Sequence, residues 1–168
     1  MKKVINIFGG PGTGKSVTAA QLFVELKKSQ KNCELVTEFA KELTYDESYR
    51  VMENQIWIFA NQHHRMHRLK KKVDYIVTDA PLFNSIVYSG KGEENKEFHQ
   101  FVLREFSKYN NLNVYLKRET EYRQEGRYQD EDGAKKIDDE VIKCFKYFKV
   151  DFVEVGLERA VPTIISLL

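Results

Sequence analysis

One short segment limits the possible folds of this chain more than any other. Gly9 to Ser16 has the sequence Gly-Gly-Pro-Gly-Thr-Gly-Lys-Ser and matches the pattern G-x-x-x-x-G-K-[ST]. The apolar run Val4 to Phe8 before it predicts a strand, and Thr13 to Lys28 after it has helical spacing. Such glycines let successive N–H groups turn onto phosphate oxygens at the positive end of the helix. The segment therefore predicts a phosphate-binding loop.

The last two residues of this loop have separate predicted roles. We expect Lys15 to reach the β- and γ-phosphates of a nucleotide and the Ser16 hydroxyl to ligate Mg²⁺. A glycine-rich turn that merely joins strand to helix is the alternative, but such a turn does not require the four fixed positions of the pattern. The loop residues predicted to bind nucleotide are Gly10, Gly12, Thr13, Gly14, Lys15, Ser16 and Val17.

Apolar runs of strand length alternate with helical patterns along the chain. Further strands are predicted at Cys33 to Val36, Tyr75 to Val77, Val114 to Leu116 and Phe152 to Val155. Further helices are predicted at about residues 47–72, 82–88, 93–109, 134–148 and 162–168. This alternation predicts an α/β domain with a parallel sheet covered by helices on both faces. The length of 168 residues favours a single domain over residues 1–168.

Parallel sheets place ligands beyond the carboxyl ends of their strands, so the residues that follow each strand are the candidates for a site. Asp79 ends the third predicted strand, where P-loop folds hold a carboxylate near Mg²⁺. The alternative is a turn or helix-capping aspartate, because Pro81 can begin the next helix. We predict a catalytic and metal-binding role for Asp79.

Glu38 follows the second predicted strand and is our candidate general base. A carboxylate there can take the proton of an acceptor hydroxyl as that hydroxyl attacks a γ-phosphate. Glu42 lies one helical turn later and is the alternative acid. Either glutamate is otherwise explained as a solvated residue in a first helical turn.

A charged segment follows the fourth predicted strand, over about residues 118–133. Its arginines Arg118, Arg123 and Arg127 have the planar fork that pairs with phosphate, and Gly126 offers a pivot. We predict a lid in which Arg123 and Arg127 are catalytic and Arg118 binds the nucleotide. A solvated helix with Glu–Arg pairs is the alternative.

The stretch before residue 63 combines aromatic and amide side chains on a predicted helix. A pocket for a base needs a stacking ring and amide partners, so we expect substrate contacts there. The candidates are Gln55, Trp57, Phe59 and Gln62, besides Glu38. Core packing is the alternative for the two aromatic residues.

Charge and hydropathy exclude some classes of protein. The formal net charge of +2 is too small to indicate general affinity for nucleic acid, but residues 63–72 form a locally basic helix. That helix could contact DNA, although a solvated face is the ordinary explanation. No run approaches the roughly 18 apolar residues of a membrane span, so we expect a cytoplasmic protein. Its two cysteines fit reduced, buried thiols.

Taken together, Gly9 to Ser16, Glu38, Asp79 and the arginine-rich segment resemble the nucleoside and nucleotide kinase group of P-loop proteins. Residues 37–40 and 79–81 are most similar to the ribosylnicotinamide-kinase-like branch, and residues 126–129 and 135–139 are similar to small phage-encoded P-loop kinases. The resemblance implies a P-loop three-layer sandwich with sheet order 2-3-1-4-5, a lid, and ATP with Mg²⁺. It also implies that Glu38 acts as the base.

The sequence thus predicts a kinase that acts on a small nucleoside, nucleotide or related acceptor, as a monomer or homodimer. One alternative is a kinase for hydroxymethylated pyrimidines already in phage DNA, which would use the basic helix 63–72. An alternative of another class is an ATP-hydrolysing switch protein without a phosphorylated acceptor. The signature Asp-Arg-Tyr of nucleotide monophosphate kinases does not follow Asp79, which weakens that subgroup.

Overall fold

The computed structural model describes residues 2–90, 92, 95–119 and 130–168, and over these residues strands and helices alternate. The strands are β1 (Lys3–Phe8), β2 (Cys33–Val36), β3 (Tyr75–Thr78), β4 (Asn111–Leu116) and β5 (Val153–Val155). The helices are α1 (Lys15–Lys28), α2 (Phe39–Tyr45), α3 (Tyr49–Met52), α4 (Gln55–His67), α5 (Asn84–Ser89), α6 (Lys96–Phe106), α7 (Glu131–Phe148) and α8 (Leu157–Ser166).

The strands form a five-stranded sheet in the order β2-β3-β1-β4-β5, and every pairing in it is parallel. The central strand β1 pairs with β3 from Lys3 opposite Tyr75 and with β4 from Val4 opposite Asn111. The order reverses at β1, because the chain passes first to one side of it and then to the other. The predicted α/β sandwich and its order 2-3-1-4-5 are confirmed.

Helices cover both faces of the sheet, which explains why the central strands are mostly apolar and why the buried Asn6 of β1 is hydrogen-bonded to Asn113 of β4. On one face, Phe8 of β1 packs with Phe83 and with Phe145 of α7 in the larger core cluster. On the other face, Ile5 packs with Leu22 of α1 and Ile164 of α8. All of these side chains are fully or almost fully buried. The sheet is therefore a rigid support for the loops at its edges.

Three helical predictions need correction. The continuous helix expected over residues 47–72 is broken into α3 and α4, because Asn54 caps α4 by accepting the N–H of Trp57. A helical turn after Glu38 was only an alternative in the sequence, whereas the structure forms helix α2 there. The last helix begins at Leu157 rather than Pro162, so the proline lies inside it.

Truncation of Phe83 provides a test of the larger core. Phe83 is completely buried and its ring contacts Phe8, Phe106, Phe145 and Phe148. We expect Phe83→Ala to lower the free energy of unfolding by about 3–5 kcal/mol, since it leaves a cavity that the rigid sheet cannot close. Urea denaturation followed by circular dichroism measures this change.

The matched control is an aromatic residue that the core does not use. Tyr147 on α7 is 79% exposed, so Tyr147→Ala should cost roughly 0.5 kcal/mol or less. Similar losses for both variants would show that this aromatic cluster is not the main source of stability.

Candidate active site

The carboxyl ends of β1, β2 and β3 open into one cleft of about 490 Å³, which is the size of many small-molecule sites. Its wall consists of the glycine loop after β1, the start of α2 after β2, and α5 after β3. Part of α3 and α4 closes the far side. The topology thus brings together residues that lie far apart in the sequence.

The glycine loop has a conformation that side chains would prevent. Gly14 has φ +89°, and a Cβ atom there would lie 2.6 Å from Leu157 Cδ1 of α8. Gly12 also has a positive φ of 84°. Gly10 has its carbonyl inside the loop, where it accepts hydrogen bonds from Thr13 Oγ1 at 3.0 Å and Lys15 Nζ at 2.9 Å. Lys15 is therefore held at the loop to which phosphate is predicted to bind.

Lys15 lies among carboxylates at the base of the cleft. Burial lowers the pKa of its ammonium, while the negative charges of Glu38, Asp79 and Asp138 act in the opposite direction. The acidic neighbours favour the charged ammonium, and it is the charged ammonium that attracts an incoming phosphate. Lys15, Glu38 and Asp79, which the sequence predicted as site residues, thus lie close enough for the two carboxylates to shift the pKa of the lysine.

Glu38 lies at the start of α2 and lines the cleft. Burial raises the pKa of its carboxyl group, Asp79 raises it further, and Lys15 lowers it in part. A carboxylate with a raised pKa holds a proton more strongly than a solvated glutamate does. This property suits a group that accepts a proton from a neutral hydroxyl.

Gln62 holds the backbone on both sides of Glu38. Its Oε1 accepts the N–H of Phe39 at 3.0 Å, and its Nε2 donates to the carbonyl of Thr37 at 3.3 Å. The side chain lines the cleft but is only 5% exposed. Gln62 was predicted to contact substrate; in the structure its amide group orients the segment that carries Glu38.

Asp79 follows β3 and is 4% exposed. Among the described residues, no hydrogen-bond donor contacts its Oδ1 atom. A buried, unpaired carboxylate oxygen is costly unless a cation or water satisfies it, so Asp79 fits the predicted Mg²⁺. Ser16 is exposed at the start of α1 and lines the same cleft, where its hydroxyl can reach a metal.

The other predicted substrate residues divide into two groups. Gln55 lines the cleft, and its Nε2 atom donates to the carbonyl of Met52 at 3.0 Å. Phe59 is turned away on the same helix and packs in the core against His63. Trp57 is about half exposed, with its ring edge toward Phe39, and is not among the residues that line the cleft. Of the four candidates on this helix, the structure thus brings Gln55 and Gln62 to the cleft, where Ile58 also lies.

Arg118, two residues after β4, lies beside the glycine loop, and its role in nucleotide binding stays a prediction. Its Nη2 donates to the carbonyl of Pro11 at 2.8 Å and its Nε donates to Asp138 Oδ2 at 2.6 Å. The predicted lid residues Arg123 and Arg127 lie outside the described residues. Their catalytic roles stay predictions.

Sequence reasoning missed several residues at this site. Tyr88 and Asn84 of α5 and Lys41 of α2 line the cleft, and Asp138 of α7 contacts the glycine loop. Burial raises the pKa of the Tyr88 phenol, as do Glu38 and Asp138, so this hydroxyl remains a donor at neutral pH. The expectation that site residues directly follow the strands, here called the strand-end rule, does not find these residues, because they lie within helices.

Three side chains of the basic stretch 63–72 contact acidic or aromatic neighbours. Arg65 Nη2 donates to Glu42 at 2.7 Å, which also gives that glutamate a structural partner. His63 Nε2 lies 3.5 Å from Glu105, and the Lys70 ammonium lies over the ring of Tyr109. These contacts reduce the positive charge that this helix offers to a polyanion.

The glycine loop after β1, the acidic residues after β2 and β3, and the sheet order define a P-loop nucleotide-binding fold of the nucleoside kinase kind. Within this class, residues 4–159 match the AAA domain family, and the chain belongs to that family. No curated protein matches the sequence. The resemblance to the P-loop nucleoside kinase group is confirmed.

Solved structures support the same fold. A deoxyadenosine kinase from M. mycoides with bound dATP superposes with a TM-score of 0.62 at 15% identity, covering 99% of this chain and 98% of the other. The same enzyme with dCMP and dCDP gives 0.59 at 14% identity, with 97% of both chains covered. The NadR protein in complex with NR gives 0.67 at 18% identity, covering 93% of this chain. This chain spans 43% of that NadR protein.

Two features are absent from the part of the chain that the structure describes. No helix in them has the length and apolar character needed to cross a membrane. No cluster of three or more His, Cys, Asp or Glu side chains in them is arranged to hold a metal ion.

Replacement of Gln62 tests whether its amide holds the segment around Glu38. We expect Gln62→Leu to speed hydrogen exchange of the Phe39 amide about tenfold, because a hydrogen bond of roughly 1 kcal/mol or more is lost. Exchange measured by NMR at single residues gives this value directly.

Asn61 supplies the matched control on the same helix. Its amide donates to the carbonyl of Trp57 and does not contact residues 37–39. Asn61→Leu should leave exchange at Phe39 unchanged. Equal protection of Phe39 in wild type and Gln62→Leu would contradict the role given to Gln62.

Proposed function

We propose that this protein is a kinase that transfers the γ-phosphoryl group of ATP to a hydroxyl group of a nucleoside or a closely related small molecule. The observation that carries the proposal is the position of Glu38. Its carboxylate lies in the cleft close enough to Lys15 and Asp79 for their charges to shift its pKa. A proton acceptor is therefore next to the lysine of the phosphate-binding loop.

The proposed reaction assigns one task to each of these side chains. Glu38 accepts the proton of the acceptor hydroxyl, whose oxygen forms a bond to the γ-phosphorus as the bond to ADP breaks. Lys15 and the N–H groups of the glycine loop hold the phosphates. Ser16 and Asp79 would hold Mg²⁺, which neutralises phosphate charge when bound.

The charges of the cleft favour a neutral acceptor over one that carries a phosphate. Within the described part of the chain, the cationic residues that line the cleft are Lys15 and Lys41, and no arginine lines it. Glu38 and Glu53 line the same space. Recognition of an acceptor phosphate usually employs arginine forks, whereas a nucleoside requires amide and hydroxyl partners. Asn84 and Tyr88 supply such groups.

The similar solved structures support this acceptor class. One is named a deoxyadenosine kinase and another was solved with NR bound, and both share the fold at low sequence identity. Sequence identity at this level shows a shared fold alone, so the acceptor class of this chain is our proposal. The candidates for it include nucleosides and nicotinamide riboside.

Kinase activity toward hydroxymethylated pyrimidines in DNA has less support. It would need the basic stretch 63–72 as a binding surface, and several charges of that stretch are engaged with acidic or aromatic partners. An ATP-hydrolysing switch is compatible with membership of the AAA domain family, which names a domain and not a reaction. These two alternatives are distinguished by where the phosphate goes.

The deciding experiment follows γ-labelled phosphate from ATP with Mg²⁺. The acceptor panel contains nucleosides, nicotinamide riboside, nucleoside monophosphates, and DNA with and without hydroxymethylated pyrimidines. We expect label on one or more nucleosides or on the riboside, and no label with Lys15→Ala. Removal of Mg²⁺ with a chelator should also stop transfer.

Each other outcome supports a different function. Label on monophosphates alone would contradict a neutral acceptor. Label on DNA alone would favour the phage-type DNA kinase. Free phosphate without a labelled acceptor would favour the switch protein and reject the proposal.

The pH dependence of transfer tests Glu38 as the base. A base is active when deprotonated, so kcat/KM should fall as the pH drops through the raised pKa of Glu38, which lies above the ordinary 4.5. Glu38→Gln should lower the rate by ~10²-fold or more and remove this acid limb.

Glu42→Gln is the matched control, because Glu42 is in the same helix and pairs with Arg65. It should retain the acid limb and most of the activity. If the acid limb of the pH profile is lost in Glu42→Gln and kept in Glu38→Gln, the base is Glu42 instead.

A further inference from the structure

Asp138 of α7 joins the phosphate-binding loop to Arg118. Its Oδ1 accepts the N–H of Gly10 at 2.6 Å, and its Oδ2 accepts Nε of Arg118 at 2.6 Å. Arg118 then donates through Nη2 to the carbonyl of Pro11 at 2.8 Å. These contacts form a closed ring, which runs from Gly10 through Asp138 and Arg118 back to the adjacent loop residue Pro11.

The ring is largely removed from water. The side chains of Arg118 and Asp138 are 14% and 12% exposed, and Gly10 is buried. Charge-assisted hydrogen bonds of this length are among the stronger ones in proteins, and they weaken less in salt when they are shielded. The contact is therefore unlike the exposed ion pairs elsewhere on the molecule, which contribute little.

Gly10 transmits this contact into the loop. Its N–H is held by Asp138 while its carbonyl accepts Lys15 Nζ at 2.9 Å, and the two groups share one Cα atom. Holding the N–H limits the movement of Gly10 as a whole and so keeps the carbonyl to which Lys15 is bonded in its place. The position of Lys15 depends on a side chain that is distant in sequence.

The close approach of α7 also explains why residue 10 is glycine. A Cβ atom at Gly10 would lie 2.5 Å from Asp138 Oδ1, 2.6 Å from the carbonyl of Ala134 and 3.0 Å from Arg118 Nη2. Two of these atoms belong to α7 and leave no room for a side chain. The loop and the helix are thus built to fit each other at this point.

We propose that Asp138 is a positioning residue of the nucleotide site, which holds Gly10 and Arg118 in the arrangement that binds a nucleoside triphosphate. The proposal rests on the proposed function only in requiring that the glycine loop binds ATP. Asp138 acts through Gly10 and Arg118 and takes no part in the transfer itself. It gives α7, which the strand-end rule does not reach, a specific task in the site.

Direct binding of ATP to the full chain tests this proposal without depending on the acceptor. We expect Asp138→Ala to raise the Kd for ATP about tenfold or more, since it removes two hydrogen bonds that involve a charge. Asp138→Asn keeps an oxygen for Gly10 and loses the charge that faces Arg118. Its Kd should lie between those of wild type and Asp138→Ala.

The matched control is Asp139→Asn, which removes a neighbouring acid on the exposed side of the same helix. It should bind ATP as wild type does. In kinetic assays, Asp138→Asn should raise the KM for ATP and leave the KM for the acceptor unchanged. A general loss of structure would instead change both constants and lower the melting temperature, and that result would reject a positioning role.

Two failures can be told apart. If wild type binds ATP and both Asp138 variants bind it within twofold of wild type, this proposal is wrong and the proposed function stands. If wild type itself binds no ATP, both proposals are wrong. Asp138→Asn keeps the test valid where Asp138→Ala does not fold, because the two side chains have nearly the same shape.

Discussion

The site depends on one constraint, which is that parallel strands buried on both faces end at a common edge. β1, β2 and β3 are adjacent in the sheet, so the residues that follow them meet although the chain between them is long. Lys15, Glu38 and Asp79 come from these three positions. The core clusters on the two faces keep the strands from sliding, and a shift of one residue would move each group away from the others.

The balance of charge at this edge follows from the same arrangement. Two cations, Lys15 and Arg118, lie near three carboxylates that shift the pKa of Lys15. Burial alone would favour a neutral lysine and a protonated glutamate, which would remove the charges that phosphate transfer needs. Attraction between opposite charges counteracts the effect of burial on the pKa of Lys15 and, in part, on the pKa of Glu38. The opposite charges of the site therefore offset part of the effect of burial on these two pKa values.

The sequence predicted those parts of the molecule whose signals are local. The glycine loop has its pattern in consecutive residues, and Glu38 and Asp79 lie directly after apolar strands. The task of Asp138 has no such signal, because its partner Gly10 is 128 residues away and the link is a single carboxylate. The break in the helix over 47–72 depended on the cap at Asn54, which helical spacing of apolar residues does not reveal.

Gln62 illustrates why residue type alone could not assign a role. An amide in a stretch with aromatic neighbours fits a contact to a base, and the helix does turn Gln62 toward the cleft. Both ends of the amide are nevertheless bonded to the backbone on either side of Glu38. These two bonds use one donor and one acceptor position of the amide and fix its orientation toward residues 37–39, so a contact to a base would have to use the remaining positions without turning the side chain. Asn84 and Tyr88 lie farther along the cleft wall and are further candidates for recognition of the proposed acceptor, although neither directly follows a strand.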